Sequence, residues 1–142
     1  MKILLIVLSL VFLDHGCKEF KINQDNISVE YSASSRGNYK LIVIDKTMVS
    51  VINKRNIKPT VKICNEDEWT KLMEVLKAVE IENIPNLKAP TEARFYDGAA
   101  IANLKIIYNG TTYESQSFDH LSPPKEIEAL VKVILSISEN IE

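Results

Sequence analysis

Apolar and polar residues alternate from position 27 with the period of a strand that buries one face: Ile27, Val29, Tyr31 and Ala33 are interleaved with Ser28, Glu30 and Ser32. Ser34-Ser35-Arg36-Gly37-Asn38 supplies turn chemistry, and a second strand is predicted over Tyr39–Asp45. Asp45-Lys46 connects tightly to a Val- and Ile-rich strand over 47–53, and a loop over 54–59 leads to a fourth strand over 60–64.

The period then changes from two to three or four. Trp69, Leu72, Met73, Leu76 and Val79 form one apolar stripe of a helix that packs on the sheet. Asn65 can cap it, Glu68 completes a capping box, and Glu66, Asp67 and Glu68 lie where the helix dipole favours negative charge. Residues 84–91 contain Pro85 and Pro90 and are expected to form an irregular crossing.

Asn109-Gly110 predicts a type I′ hairpin turn. It places Tyr108 opposite Thr111, Ile106 opposite Tyr113, Leu104 opposite Ser115 and Ala102 opposite Ser117 on the buried side. On the wet side it places Lys105 opposite Glu114 and Asn103 opposite Gln116. Small Ser115 and Ser117 on the inner face would leave room for a bulky helix side chain such as Trp69. Ser122 is expected to cap the last helix with Pro123 at its first position, and Ile127, Leu130, Val131, Ile134 and Ile137 form its stripe. The pattern implies one α+β domain over residues 27–142: a largely antiparallel sheet of about six strands with two helices packed on one face, in the order ββββ-α-ββ-α.

The amino terminus has a different character. Lys2 precedes a run of eleven residues, 3–13, that is apolar except for Ser9, followed by Asp14-His15-Gly16-Cys17. At ~1.5 Å per residue such a run spans about half of a ~30 Å hydrocarbon core, which suits a signal peptide rather than a transmembrane helix. Gly16-Cys17, followed by polar Lys18-Glu19, resembles the lipobox of bacterial lipoprotein precursors, with Asp14 where that motif prefers Leu. The resemblance implies a signal peptide over 1–16, a lipid such as palmitate on Cys17, and a tether over 17–26. Membrane association through that lipid, at the cell envelope and at its outer membrane, follows. A Cys17–Cys64 disulfide is the competing fate of the thiol and would exclude the anchor. Cys64, at the end of an alternating stretch, is otherwise expected to be a buried structural thiol.

Composition narrows the partners. The chain has 142 residues, 46% hydrophobic and 25% charged, with a formal charge of −2 that is unchanged when residues 1–16 are removed. That balance provides no field for nucleic acid. The 126 residues after position 16 suffice for a core without metal or disulfide staples.

Candidate chemistry is sparse. His120 is the one histidine after position 16, and Asp119-His120 with Ser115, Ser117 or Ser122 nearby raises the possibility of a small hydrolase. Neighbouring residues of a strand point to opposite faces, however, and no glycine-flanked nucleophile surrounds these serines. No metal is expected, because one His and one distant Cys leave a zinc site two ligands short. No cofactor is expected, because a Gly-rich strand-to-helix turn is missing. Lys54, Arg55, Lys58 and Lys62 form the densest basic cluster, compatible with contact to anionic lipid or polysaccharide or with a solvated strand edge. Arg94-Phe95-Tyr96-Asp97-Gly98 places aromatics and an Arg-Asp couple in an irregular segment, where binding residues collect.

Several segments together resemble small lipoproteins of the Bacteroidota type: Ser34-Ser35-Arg36-Gly37, Pro85-Asn86-Leu87-Lys88-Ala89-Pro90-Thr91, Asp97-Gly98-Ala99 and Ser117-Phe118-Asp119-His120, followed by Pro123-Pro124-Lys125-Glu126-Ile127. That family carries no assigned activity, so the resemblance implies an address and transfers no site. The expectation is an envelope-anchored, non-catalytic binding or assembly module with an envelope protein or glycan as partner. Arg36, Asp97, Asp119 and His120 form its binding patch if the fold groups them.

Overall fold

Eight residues of unbroken alternation, Ile27–Ser34, form the central strand β1, with Ile27, Val29, Tyr31 and Ala33 buried. The computed structural model describes residues 22–141. Residues 1–21 lie outside them, and with these the expected signal peptide, Cys17 and the first half of the tether.

β1 pairs antiparallel with β2 (Tyr39–Asp45) on one side and β5 (Ile101–Tyr108) on the other. With β3 (Met48–Ile52), β4 (Thr60–Ile63), β6 (Thr111–Glu114) and the two-residue β7 (Phe118–Asp119), the sheet runs β4-β3-β2-β1-β5-β6, and β7 pairs β5. Helices α1 (Glu66–Lys77) and α2 (Glu128–Glu139) pack against each other, and α2 packs against β2 and β3. The domain is α+β, with its core between the helices and the inner sheet face. Ile42, Ile44, Leu104, Ile106, Leu72, Leu76, Leu130 and Ile134 are fully buried there, and truncating one such aliphatic to Ala costs about 2–5 kcal/mol. On the outer face Glu30 and Lys105 pair across β1 and β5 at 2.8 Å.

The cap of α1 forms as its sequence predicts. Asn65 Oδ1 accepts from Glu68 N–H at 2.9 Å, and the Glu68 carboxylate accepts from Asn65 N–H at 3.3 Å. Of the α1 stripe, Trp69, Leu72, Met73 and Leu76 are buried and Val79 is half-buried. The crossing is partly ordered, with a 3-10 helix over Ile81–Asn86 that contains Pro85.

Four expectations are corrected. The hairpin keeps its predicted register from Tyr108–Thr111 to Lys105–Glu114, and Asn109 and Gly110 take the positive φ values of 48° and 79° that a type I′ turn demands. Beyond Leu104–Ser115 the register slips by one, and Ala102 faces Phe118 instead of Ser117. The extra residue is a bulge, and its gain is a fully buried Phe118 ring on the inner face. Trp69 does not lie beside Ser117; its indole donates to Gln24 Oε1 at 3.3 Å.

Ser122 does not cap α2. It bridges back to Asp119, and the helix begins at Glu128 after a 3-10 turn over Lys125–Ile127. Pro124 disfavours the α conformation at Pro123, and Pro124 is itself extended, at ψ 144°. The end of the expected tether is docked as well. Gln24–Asn26 form a 3-10 turn, Asp25 pairs with Lys46 at 2.6 Å, Asn26 O accepts from Asn109 N–H at 3.0 Å, and Ile22 packs on the core.

Candidate functional site

Three connections meet at the end of the sheet where β1 finishes: the β1–β2 turn, the β3–β4 loop, and the segment before β5. Ser34, Ser35, Arg36, Arg55, Arg94 and Asp97 line a concavity of about 570 Å³ there. Each arginine is held differently. Arg94 is 8% exposed at its side chain and pairs with Asp119 at 3.1 Å. It also donates to Thr91 O at 2.6 Å and Ser117 Oγ at 3.2 Å, and its guanidinium lies 4.3 Å from the Phe95 ring centroid. Arg55 donates through Nη2 to Ser34 Oγ at 2.7 Å and Ser35 O at 3.3 Å, and lies 5.7 Å from the Tyr39 ring centroid. Arg36 meets Asp97 at 3.6 Å, with both side chains largely in solvent.

Asp119 organises this end from behind. Thr91 Oγ1 donates to it at 2.6 Å, Ala93 N–H at 2.8 Å and Arg94 N–H at 2.9 Å, besides the guanidinium. The two amides begin the 3-10 turn Ala93–Tyr96, so the carboxylate serves as that turn's anionic cap. Burial pushes the carboxyl pKa up, but the donors from Thr91, Arg94 and Ala93 outweigh it and hold it down at about 2.

His120 faces another way. Its Nδ1 lies 2.7 Å from Tyr31 Oη, and its backbone N–H donates to Ala100 O at 2.9 Å. Burial, and then the charge of Lys40, lowers the imidazole pKa, whereas burial pushes the Tyr31 phenol well up against the opposing bond from Leu121 N–H. Leu121 itself is 69% exposed with φ at 72°, a left-handed conformation that costs an L-leucine energy.

The expected patch is thus divided. Arg36 and Asp97 are neighbours at the rim, Asp119 lies beneath them through Arg94, and His120 belongs to the Tyr31 side. Asp119 and His120 serve separate networks, and among the described residues no serine hydroxyl lies within hydrogen-bond reach of either imidazole nitrogen. The basic cluster separates too, with Arg55 turned to Ser34 and Lys62 paired with Glu68 on α1. Sequence had marked Arg55 and Arg94 in different contexts, but the role of Tyr31 carries no local signal beyond its place in an alternating strand.

Cys64 is a free thiol, 6% exposed, whose pKa burial and then Glu68 raise, so it stays protonated and inert. Among the described residues no cluster of His, Cys, Asp and Glu could hold a metal ion, and no helix is long and apolar enough to cross a membrane. A second concavity of about 530 Å³ at the end of α1 offers Ile22, Val79 and Ile81 amid Lys77, Glu80 and Glu82, with no set of like donors.

Comparison with known proteins gives no match, whether to family models, to curated proteins or to solved structures.

Proposed function

We propose that this chain is an envelope-anchored lipoprotein, held at the outer membrane by a lipid on Cys17, whose domain is a non-catalytic binding or assembly module. The observation that carries the binding half is the division of Asp119 from His120. The carboxylate is filled by Thr91, Ala93 and Arg94, and the imidazole is taken up by Tyr31. A hydrolytic triad needs a carboxylate on one imidazole nitrogen and a nucleophile at the other, and these residues are spent on holding loops. What Asp119 holds, through Arg94 and the turn at Ala93, is one wall of an open concavity built from three connections, the usual setting of a recognition site on a rigid scaffold. The anchor half is supported by the signal-like leader ending at Gly16-Cys17 and by Cys64 being free and buried rather than bonded.

Mass spectrometry of the mature amino terminus from the native host tests the address. A diacylated or triacylated Cys17 is expected, with Cys17→Ser releasing the protein from membranes. An intact Met1, or an unmodified Cys17, overturns it.

A further inference from the structure

We infer that the arginine-lined concavity binds an oxyanion, a carboxylate, phosphate or sulfate group of the ligand, seated between Arg55 and Arg36. The inference rests on the binding-module reading and gives its ligand a chemistry.

Three guanidinium groups border the concavity, and they are not equally committed. Arg94 is buried, neutralised by Asp119 and fixed by Thr91 and Ser117, so it forms the floor. Arg55 has no carboxylate partner among the described residues. Its two bonds, to Ser34 Oγ and Ser35 O, both use Nη2. A guanidinium has five donors, so Nε–H and the two Nη1 hydrogens remain as single donors for a ligand, while Ser34, Ser35 and the Tyr39 ring fix the orientation of the group. A charged donor set held in place in this way suits a planar or tetrahedral oxyanion through charge-assisted single bonds.

Arg36 supplies the second charge. Its 3.6 Å separation from Asp97 is too long for a charge-assisted hydrogen bond, and the side chains are 92% and 77% exposed. Water screens that pair, so a ligand oxyanion can displace Asp97 at little cost. Ser34 and Ser35 add hydroxyl donors, and no atom lies within 4 Å of where a Cβ on Gly37 would stand, so the rim is open beside Arg36. Tyr96, 80% exposed and next to Asp97, presents an aromatic face on which a sugar ring can stack.

The test is a titration of the full-length protein in non-ionic detergent, following the Arg Nε–Hε signals by NMR. The probes are inorganic phosphate, inorganic sulfate, trigalacturonate and, as the uncharged control, maltotriose. Saturable shifts of Arg55 and Arg36 are expected with the anions and none with maltotriose. Tighter binding of trigalacturonate, with Tyr96 ring shifts, identifies an acidic saccharide as the source; equal or better binding of phosphate or sulfate identifies the simple anion. Arg55→Gln is expected to weaken binding about tenfold, and Arg55→Lys to weaken it less, because the charge is retained while the bonds that orient the group are lost. Lys132→Gln, which removes a charge from the surface of α2, should leave affinity unchanged. The backbone amide spectrum checks that each variant is folded. No arginine shift with any anion at millimolar concentration overturns the inference, and so does equal weakening by Arg55→Gln and Lys132→Gln. A photo-crosslinker at Tyr96 in cells separates the two failures. Capture of an envelope component that is insensitive to Arg55→Gln sinks the oxyanion chemistry and leaves the binding module standing, whereas no capture and no titration sink both.

Discussion

Tyr31 Oη and His120 Nδ1 stand 2.7 Å apart, joining the middle of the central strand to the exit of β7. With a neutral imidazole, one of these two atoms donates and the other accepts.

A pH dependence follows. Burial first, then Lys40, places the folded pKa of His120 below its ordinary value. The unfolded chain therefore takes up the proton first, and stability falls as pH drops below the unfolded value of about 6.5, levelling off beneath the folded one. Urea unfolding is expected to show a lower midpoint at about pH 5.5 than at about pH 7.5, with the difference removed in His120→Gln. Equal midpoints for the wild type would mean that the imidazole is not held neutral.

Asp119→Asn removes the charge that caps the 3-10 turn at Ala93 and pairs with Arg94. Loss of charge-assisted bonds should loosen the segment 91–97 before the sheet opens. Hydrogen exchange of the Ala93 and Arg94 amides is expected to accelerate about tenfold or more, while the amides of β1 change less. Unchanged protection at Ala93 would place the control of that segment elsewhere.

Leu121 is the one large apolar residue among the described positive-φ residues; the others are asparagine, aspartate and glycine. Left-handed backbone costs an ordinary L-residue roughly 1–2 kcal/mol, and asparagine tolerates it better. Leu121→Asn is therefore expected to stabilise the fold by up to about 1 kcal/mol in denaturant unfolding, because the lost side chain is exposed. A loss of stability would show that Leu121 is held by packing.

The bulge offers another test. Ser115 Oγ accepts from Leu104 N–H at 3.0 Å, and Ser115 N–H donates to Leu104 O at 2.8 Å. The serine side chain thus takes the role of the ladder carbonyl that the slipped register removes. Ser115→Ala should cost about 1–3 kcal/mol, the penalty of a buried amide left without an acceptor, and Ser115→Thr should recover part of it. A neutral Ala variant would mean that the hairpin re-registers.

The parts legible in the sequence are those that local chemistry decides. The period-two run Ile27–Ser34, the Asn109-Gly110 turn and the Asn65–Glu68 box each need only neighbours within a few positions. The bulge did not show because Ser115-Gln116-Ser117 suits either register; the choice is made by burial of Phe118 against the core, a tertiary effect. Pro123-Pro124 looked like a helix start, yet two prolines in a row postpone it to Glu128. At the candidate site, Arg36 and Asp97 meet as the segments suggested. Arg94 with Asp119 is 25 positions apart and Arg55 with Ser34 is 21 apart, so no spacing rule could announce either pair.

The docking of Gln24–Asn26 beside the Asn109-Gly110 turn fixes the orientation of the molecule. The chain joins the domain at the foot of β1, and the three arginines crown its head; eight residues at ~3.3 Å each put roughly 23–26 Å between the two poles. If the proposed lipid sits on Cys17, residues 17–21 lie between it and the docked segment, a reach of at most about 18 Å. Such a lipid would hold the domain within that reach of its leaflet, and the arginine-lined concavity sits at the pole of β1 opposite the point of attachment.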